Sequence, residues 1–284
     1  MRVGIKLEID FAESDAYRSL FGPHEALDFL RRLGVEAAET PIGPETEEEA
    51  LLAHVRKCFE AGLRVSLHPY TERTPHNPAF FSPDGDNLCR ATHQHFLGFA
   101  EKAARIQQAE TIVNVHPAAA VEIARQEQVA RSVEFFRWAR RWCGEREGAV
   151  RVVAETQIAP VAGETMLRIG DGWDELLEVV RQSSVEACWD FGHAYMNHVR
   201  LGRPLDPPDG LLSHVAHVHC HDVDREDHQP LVFGKVPWER LLGRLAACGF
   251  DGTVILEVPA EHFLAAGGLE SLVRSVGELK RVVA

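Results

Sequence analysis

The chain has 284 residues, of which 45% are hydrophobic and 26% charged, and its formal net charge is −13. This composition supplies a large core and excludes a disordered chain. The acidic balance excludes an overall basic footprint for nucleic acid, and no apolar run reaches the roughly 18 residues of a membrane span.

In chain order, short β-branched runs predict eight strands: Arg2–Ile9, Val35–Thr40, Arg64–His68, Thr111–His116, Val150–Thr156, Val185–Asp190, His214–Asp222 and Thr253–Val258. Amphipathic stretches between them predict helices over His24–Leu33, Thr46–Ala61, Asn87–Gln108, Val121–Cys143, Trp173–Gln182, Pro237–Cys248 and Leu269–Val283. Strand–helix alternation implies parallel strands joined by crossover helices. Gly34, Gly62 and Gly249 read as helix stops just before strands. No linker or shift in composition divides the chain. The expectation is therefore one α/β domain over residues 1–284, a (β/α)8 TIM barrel. Three long strand-to-helix loops, Pro69–Asp86, Ile158–Gly172 and Val223–Val236, are expected to shape its functional face.

Met1–Asp10 lacks the unbroken apolar stretch of a secretory signal. The six cysteines are scattered and form no CxxC pair. Reduced thiols and a cytoplasmic location are the expectation.

The chemistry sits at the strand ends. Six successive strands, the third through the eighth, end on His68, His116, Glu155, Asp190, His219 and Glu257. In a parallel barrel these ends open on one mouth, so the six side chains converge. Carboxylate and imidazole are the usual ligands of Mn, Mg, Co or Zn. Alternation puts His217, His219 and His221 on one face of their strand, with Ile255 and Glu257 likewise on theirs. A single strand-end histidine is more often a hydrogen-bonded structural residue, and a single carboxylate is often merely solvated. Six in register are poorly explained that way. Glu155, Asp190, His219 and Glu257 stand out because each follows an apolar strand. His193, three residues after Asp190, could reach the same site or a substrate oxygen. His24, His54, His93, His95, His198, His214 and His262 read as surface or packing residues. There is no glycine-rich phosphate loop, no GxSxG elbow and no cysteine beside an obvious base.

At these residues the chain resembles the xylose-isomerase-like TIM barrel superfamily, which contains sugar isomerases, epimerases and endonuclease IV. The resemblance spans essentially the whole chain. It rests on Trp189-Asp190-Phe191-Gly192-His193, His219-Cys220-His221-Asp222 and Ile255-Leu256-Glu257-Val258, with Asn114-Val115-His116-Pro117 and Leu67-His68-Pro69-Tyr70 in support. Similarity to ketose 3-epimerases implies that Glu155, Asp190, His219 and Glu257 hold a divalent metal ion. It also implies that Glu155 and Glu257 are the acid/base pair, moving a proton through an enediolate. His193 and Arg225 match substrate-contacting positions there. Similarity to endonuclease IV implies three zinc ions, with His68, His116, His193 and the pair Asp227-His228 as further ligands. This chain departs from the nuclease pattern. Asp227-His228-Gln229-Pro230-Leu231 leads to Gly234 and Trp238, not to an Asp-Arg-His run followed by Ile-Gly.

The reading is a metal-dependent isomerase or epimerase of a small sugar-like polyhydroxy carbonyl compound. The alternatives are a zinc phosphodiesterase acting on abasic DNA and a non-catalytic metal-binding barrel. No membrane or nucleic-acid partner is expected, and the resemblance allows pairing of identical copies.

Overall fold

In chain order the first third of the protein forms β1 (Arg2–Lys6), α1 (Asp15–Phe21), α2 (Ala26–Leu33), β2 (Ala37–Ile42), α3 (Glu48–Glu60), β3 (Arg64–Pro69) and a 3₁₀ turn at Pro78–Phe80. Next come α4 (Leu88–Gln107), β4 (Thr111–Val115), β5 (Ala119–Ala120), α5 (Arg125–Gly144), β6 (Val150–Glu155), β7 (Leu167–Arg168) and α6 (Trp173–Ser183). The chain ends with β8 (Glu186–Asp190), α7 (Phe191–Leu201), α8 (Asp209–Leu212), β9 (Val215–Cys220), α9 (Trp238–Ala247), β10 (Thr253–Leu256), α10 (Ala260–Ala265) and α11 (Leu269–Val283). The computed structural model describes residues 1–72, 74–85, 87–145, 149–161 and 163–283. Among the expected long loops, Arg73, Asp86 and Ala162 thus lie outside the described residues.

Eight strands close a parallel barrel in the order β1, β2, β3, β4, β6, β8, β9, β10, so the expected fold is present. The two remaining strands, β5 and β7, form an antiparallel ribbon over the mouth, with Ala119 opposite Arg168. The main core lies between the barrel and its helices, where both partners are apolar. Gly34, Gly62 and Gly249 take left-handed φ values of 81°, 86° and 84°, which fits helix stops. Among the described residues no helix is long and apolar enough to cross a membrane.

Four helices depart from expectation, among them the single turn α8. Helices α1 and α10 each offer one short apolar face, too little for a periodicity reading. Helix α7 begins directly after β8, with no loop between. Its first turn is capped by Asp190, whose side chain accepts the His193 backbone N–H at 2.7 Å. Asp190 therefore ends a strand and starts a helix, and this turn swings His193 back over the barrel mouth.

The barrel interior is layered by polarity. A small apolar floor is made of Val153, Cys188 and Ala216, with Ile112 against it. Above it, every strand or strand end contributes an inward polar side chain toward the mouth: Lys6, Glu39, His68, Asn114, Glu155, Asp190, His219 and Glu257. Tight closure is visible at Gly4 of β1, which lies opposite Ile255 of β10 and Ala37 of β2. A Cβ there would come within 2.9 Å of the Ala37 Cβ and 3.0 Å of its carbonyl oxygen. We expect Gly4→Ala to destabilise the protein by about 1–3 kcal/mol through overpacking. Urea unfolding checks this, and an unchanged midpoint would show that the barrel relaxes there freely.

Candidate metal centre

Four strands deliver one side chain each to a common point. His219 Nδ1 lies 3.3 Å from Glu155 Oε1, 3.7 Å from Asp190 Oδ2 and 2.7 Å from Glu257 Oε2. All four residues are almost fully buried. The tautomer of His219 follows from its other nitrogen. Nε2 lies 2.5 Å from Glu39 Oε1, and a carboxylate can only accept, so Nε2 carries the hydrogen. In its neutral form, the one that can bind a cation, His219 turns a lone pair on Nδ1 toward three carboxylate oxygens. His219 Nδ1, Glu155 Oε1 and Glu257 Oε2 are buried with no hydrogen-bond partner, the close Glu257 approach falling outside hydrogen-bond geometry.

Spacing separates ligand edges from hydrogen bonds. Two atoms bound to one ion at about 2.1 Å and near-tetrahedral angles lie about 3.4 Å apart. The Glu155 and Asp190 contacts fit that edge, and the Glu257 contact would have to open slightly. The donor set thus suits a divalent cation, with three oxygens and one nitrogen.

Two further groups flank this one. His68 donates Nδ1–H to the Asn114 carbonyl at 2.8 Å, which leaves Nε2 as an acceptor 3.4 Å from Glu155 Oε2. His116 Nε2 lies 3.3 Å from the same oxygen, and both nitrogens lack hydrogen-bond partners. On the other flank, His193 donates Nδ1–H to the Thr156 carbonyl at 3.0 Å and turns Nε2 toward Asp227 Oδ2, 4.0 Å away. His228 sits between Asp227 and Glu257, at 3.1 and 3.4 Å. Its backbone is left-handed, with φ 53°, an uncommon conformation held by a hydrogen bond from its N–H to His221 Nδ1. That bond fixes His221 as the Nε2–H tautomer, which donates to Asp190 Oδ2 at 3.2 Å. Gly192 is part of this arrangement: a Cβ there would fall 1.9 Å from the His221 ring.

The electrostatics are those of crowded buried acids. Burial alone would raise the Glu155 carboxyl, but the imidazoles of His219, His116 and His68 outweigh it and hold it well below the usual carboxylate range. Burial likewise opposes charge on Glu257, and His219 and His228 reverse its effect. Conversely, burial disfavours charge on His228, but Glu257 and Asp227 push its pKa up to about 10. In this arrangement positive charge is required among the oxygens, as imidazolium or as a cation.

A cavity of about 350 Å³ opens onto the centre and is walled by Tyr70, Gln157, His193, His228 and Glu257, among others. All the expected site residues except Arg225 are thus at or around the mouth; Arg225 is exposed in its loop and does not line the cavity. Sequence reasoning missed several residues. Tyr70 donates to Glu257 Oε1 and accepts from Lys6 Nζ, both at 3.1 Å. Arg168 lines the wall and is bound to Glu72 and Glu164. His262, read as a surface or packing residue, lines the wall and donates Nδ1–H to the His228 carbonyl at 2.8 Å. Glu39, buried beneath His219, carries little sequence signal because it sits in the middle of β2 and follows no apolar run longer than two alanines.

Comparison with known proteins agrees with this architecture. No curated protein matches the sequence. Similar solved structures include D-psicose 3-epimerase from Clostridium cellulolyticum H10 with D-tagatose, at TM-score 0.66 and 16% identity, covering 100% of this chain and 99% of that one. IolI protein with a bound zinc atom is similar at TM-score 0.66 and 14% identity, covering 100% and 98%. An AP endonuclease of family 2 from Brucella melitensis is similar at TM-score 0.61 and 13% identity, covering 94% and 100%. Such identities speak for the fold. The xylose isomerase-like TIM barrel family model matches residues 27–278, and the chain belongs to that family.

Proposed function

We propose that the protein is a divalent-metal-dependent isomerase or epimerase, acting on a small sugar-like polyhydroxy carbonyl compound through an enediolate. The observation that carries this reading is the meeting of Glu155 and Glu257 at one imidazole nitrogen, 3.3 and 2.7 Å away. Glu155, Asp190, His219 and Glu257 would hold the ion, drawn from Mn, Mg, Co or Zn. When bound, it would fix the substrate's carbonyl and neighbouring hydroxyl oxygens and stabilise negative charge developing there. Glu257 would take the proton from the carbon beside the carbonyl, and Glu155 would return one from the opposite side. Tyr70 steadies Glu257 through Oε1. His193 Nε2, an acceptor, is available to a substrate hydroxyl. The cavity of about 350 Å³ accommodates a molecule of sugar size, and the tagatose-bound epimerase supports that class.

A zinc phosphodiesterase with two or more ions is the second reading, favoured by a separate observation. Glu155 Oε2 faces His68 and His116 at ligand-edge spacing while Oε1 faces His219. In that pose the two oxygens of Glu155 would serve two separate cation sites, which would suit phosphoester hydrolysis. A bridging Glu155 could not also shuttle protons, so the ion count separates the readings. The net charge of −13 weighs against duplex DNA as the substrate. Binding of ion and ligand without turnover of any substrate would leave a metal-binding barrel.

Three outcomes are expected. The purified protein should carry a divalent ion, and Asp190→Ala should remove most of it; unchanged content in both Asp190→Ala and His219→Ala would sink the site. Incision of an abasic-site duplex should be negligible at physiological salt, and efficient metal-dependent cutting would promote the second reading. With a ketose that the enzyme converts, reaction in deuterated water should place deuterium at the carbon beside the carbonyl. Glu257→Gln, checked for metal content, should lose roughly 10²–10⁴-fold in turnover. Full activity of the metal-loaded variant would remove Glu257 from catalysis.

A further inference from the structure

We propose that Glu39 is the positioning residue of the metal centre, setting the tautomer and the basicity of His219 from beneath. The proposal rests on the metal reading above and goes beyond it, to a residue outside the four ligands. Glu39 lies on β2, 2% exposed, and reaches across the barrel to β9, which is not its neighbour in the sheet. Its Oε1 accepts from His219 Nε2–H at 2.5 Å, and its Oε2 accepts from His217 Nε2–H at 2.8 Å. Ser66 donates a third hydrogen bond, to Oε2, at 3.0 Å.

These distances also say what the cluster is not. Glu39, His217 and His219 could be read as a cation site of their own. The contacts of 2.5 and 2.8 Å meet hydrogen-bond geometry, unlike the Glu257 approach to His219 Nδ1, so these atoms are already paired with one another. Asn114 Nδ2 also approaches His219 Nε2, at 3.2 Å, but its second N–H could donate only to a bare Nε2, and the shorter contact with the Glu39 carboxylate, which cannot donate, requires the hydrogen on Nε2.

The chemical consequence follows from hydrogen-bond direction. A carboxylate cannot donate, so Glu39 forbids the tautomer in which His219 Nδ1 carries a hydrogen. In the neutral ring Nδ1 is thereby a lone pair facing Glu155, Asp190 and Glu257. The buried negative charge behind the ring also strengthens that nitrogen as a ligand. His217, held by the other oxygen, keeps Glu39 from turning away. A glutamine at this position keeps the shape but brings an NH₂ group. If that group faces His219, it donates to Nε2 and moves the ring hydrogen to Nδ1, where it blocks the ion.

The test uses the full-length protein and cobalt(II) alone as the probe. Cobalt affinity is measured by chelator competition for wild type, Glu39→Gln and Glu39→Asp, together with the visible cobalt spectrum and the urea stability of each metal-free protein. Glu39→Gln should bind cobalt roughly 10–100-fold more weakly with an altered spectrum, while Glu39→Asp, which retains the charge, should recover part of the affinity. A folded Glu39→Gln variant with wild-type affinity and spectrum overturns the proposal and leaves the metal reading intact. If Glu39→Gln does not fold, Glu39→Ala, which removes the acceptor, is measured in its place, and wild-type affinity and spectrum there overturn the proposal equally. A wild-type protein that binds no cobalt overturns both.

Discussion

The arrangement of this barrel turns on charge compensation. Glu39, Glu155, Asp190 and Glu257 are all nearly fully buried, and imidazoles surround them. Removing an ion from water leaves a penalty of several kcal/mol even after relaxation. The hydrogen bonds present already orient the acids: Ser66 and two histidines on Glu39, Asn114 on Glu155, the His193 N–H and His221 on Asp190, Tyr70 on Glu257. What these bonds leave is a set of oxygens and imidazole lone pairs aimed at shared points. A divalent cation meets that demand with the fewest additional groups, and in the proposed chemistry the same cation would polarise the substrate.

The scaffold explains how such a concentration of polar groups is tolerated. The apolar floor below, and the ring of helices outside, supply the burial that folding needs. The polar tier lies toward the mouth and extends downward through Ser66 and His217, both hydrogen-bonded to Glu39. Capping ties it to the framework: the carboxylate of Asp190 both faces the site and starts α7, so the helix holds the ligand in place. The left-handed turn at His228 does the same from the β9 loop. Local geometry that is uncommon elsewhere is here held by neighbours that also serve the site.

The sequence revealed the barrel and the outer shell of the site more fully than its base. Strands three to eight were legible because an apolar run followed by a single polar residue is an unusual pattern, and parallel topology makes such ends converge. Glu39 follows the same inward alternation, but Ala37-Ala38-Glu39-Thr40 has little apolar character, and its partner His217 is 178 residues away. Helix α7 was missed because it has no preceding loop. Tyr70, Lys6 and His262 reach the cavity through tertiary placement, which residue order alone does not encode. The resemblance carried Arg225 to a place the fold does not bring to the cavity, since loop length and path vary more than strand ends do.

Anomalous X-ray scattering from crystals of the protein as purified, measured on both sides of the metal absorption edges, tests the central claim most directly. The account predicts a peak about 2.0–2.3 Å from His219 Nδ1 and from oxygens of Glu155, Asp190 and Glu257. A second peak between His68, His116 and Glu155 Oε2 would favour the hydrolytic reading. No peak, with His219 protonated on Nδ1 and hydrogen-bonded to Glu257, would contradict it.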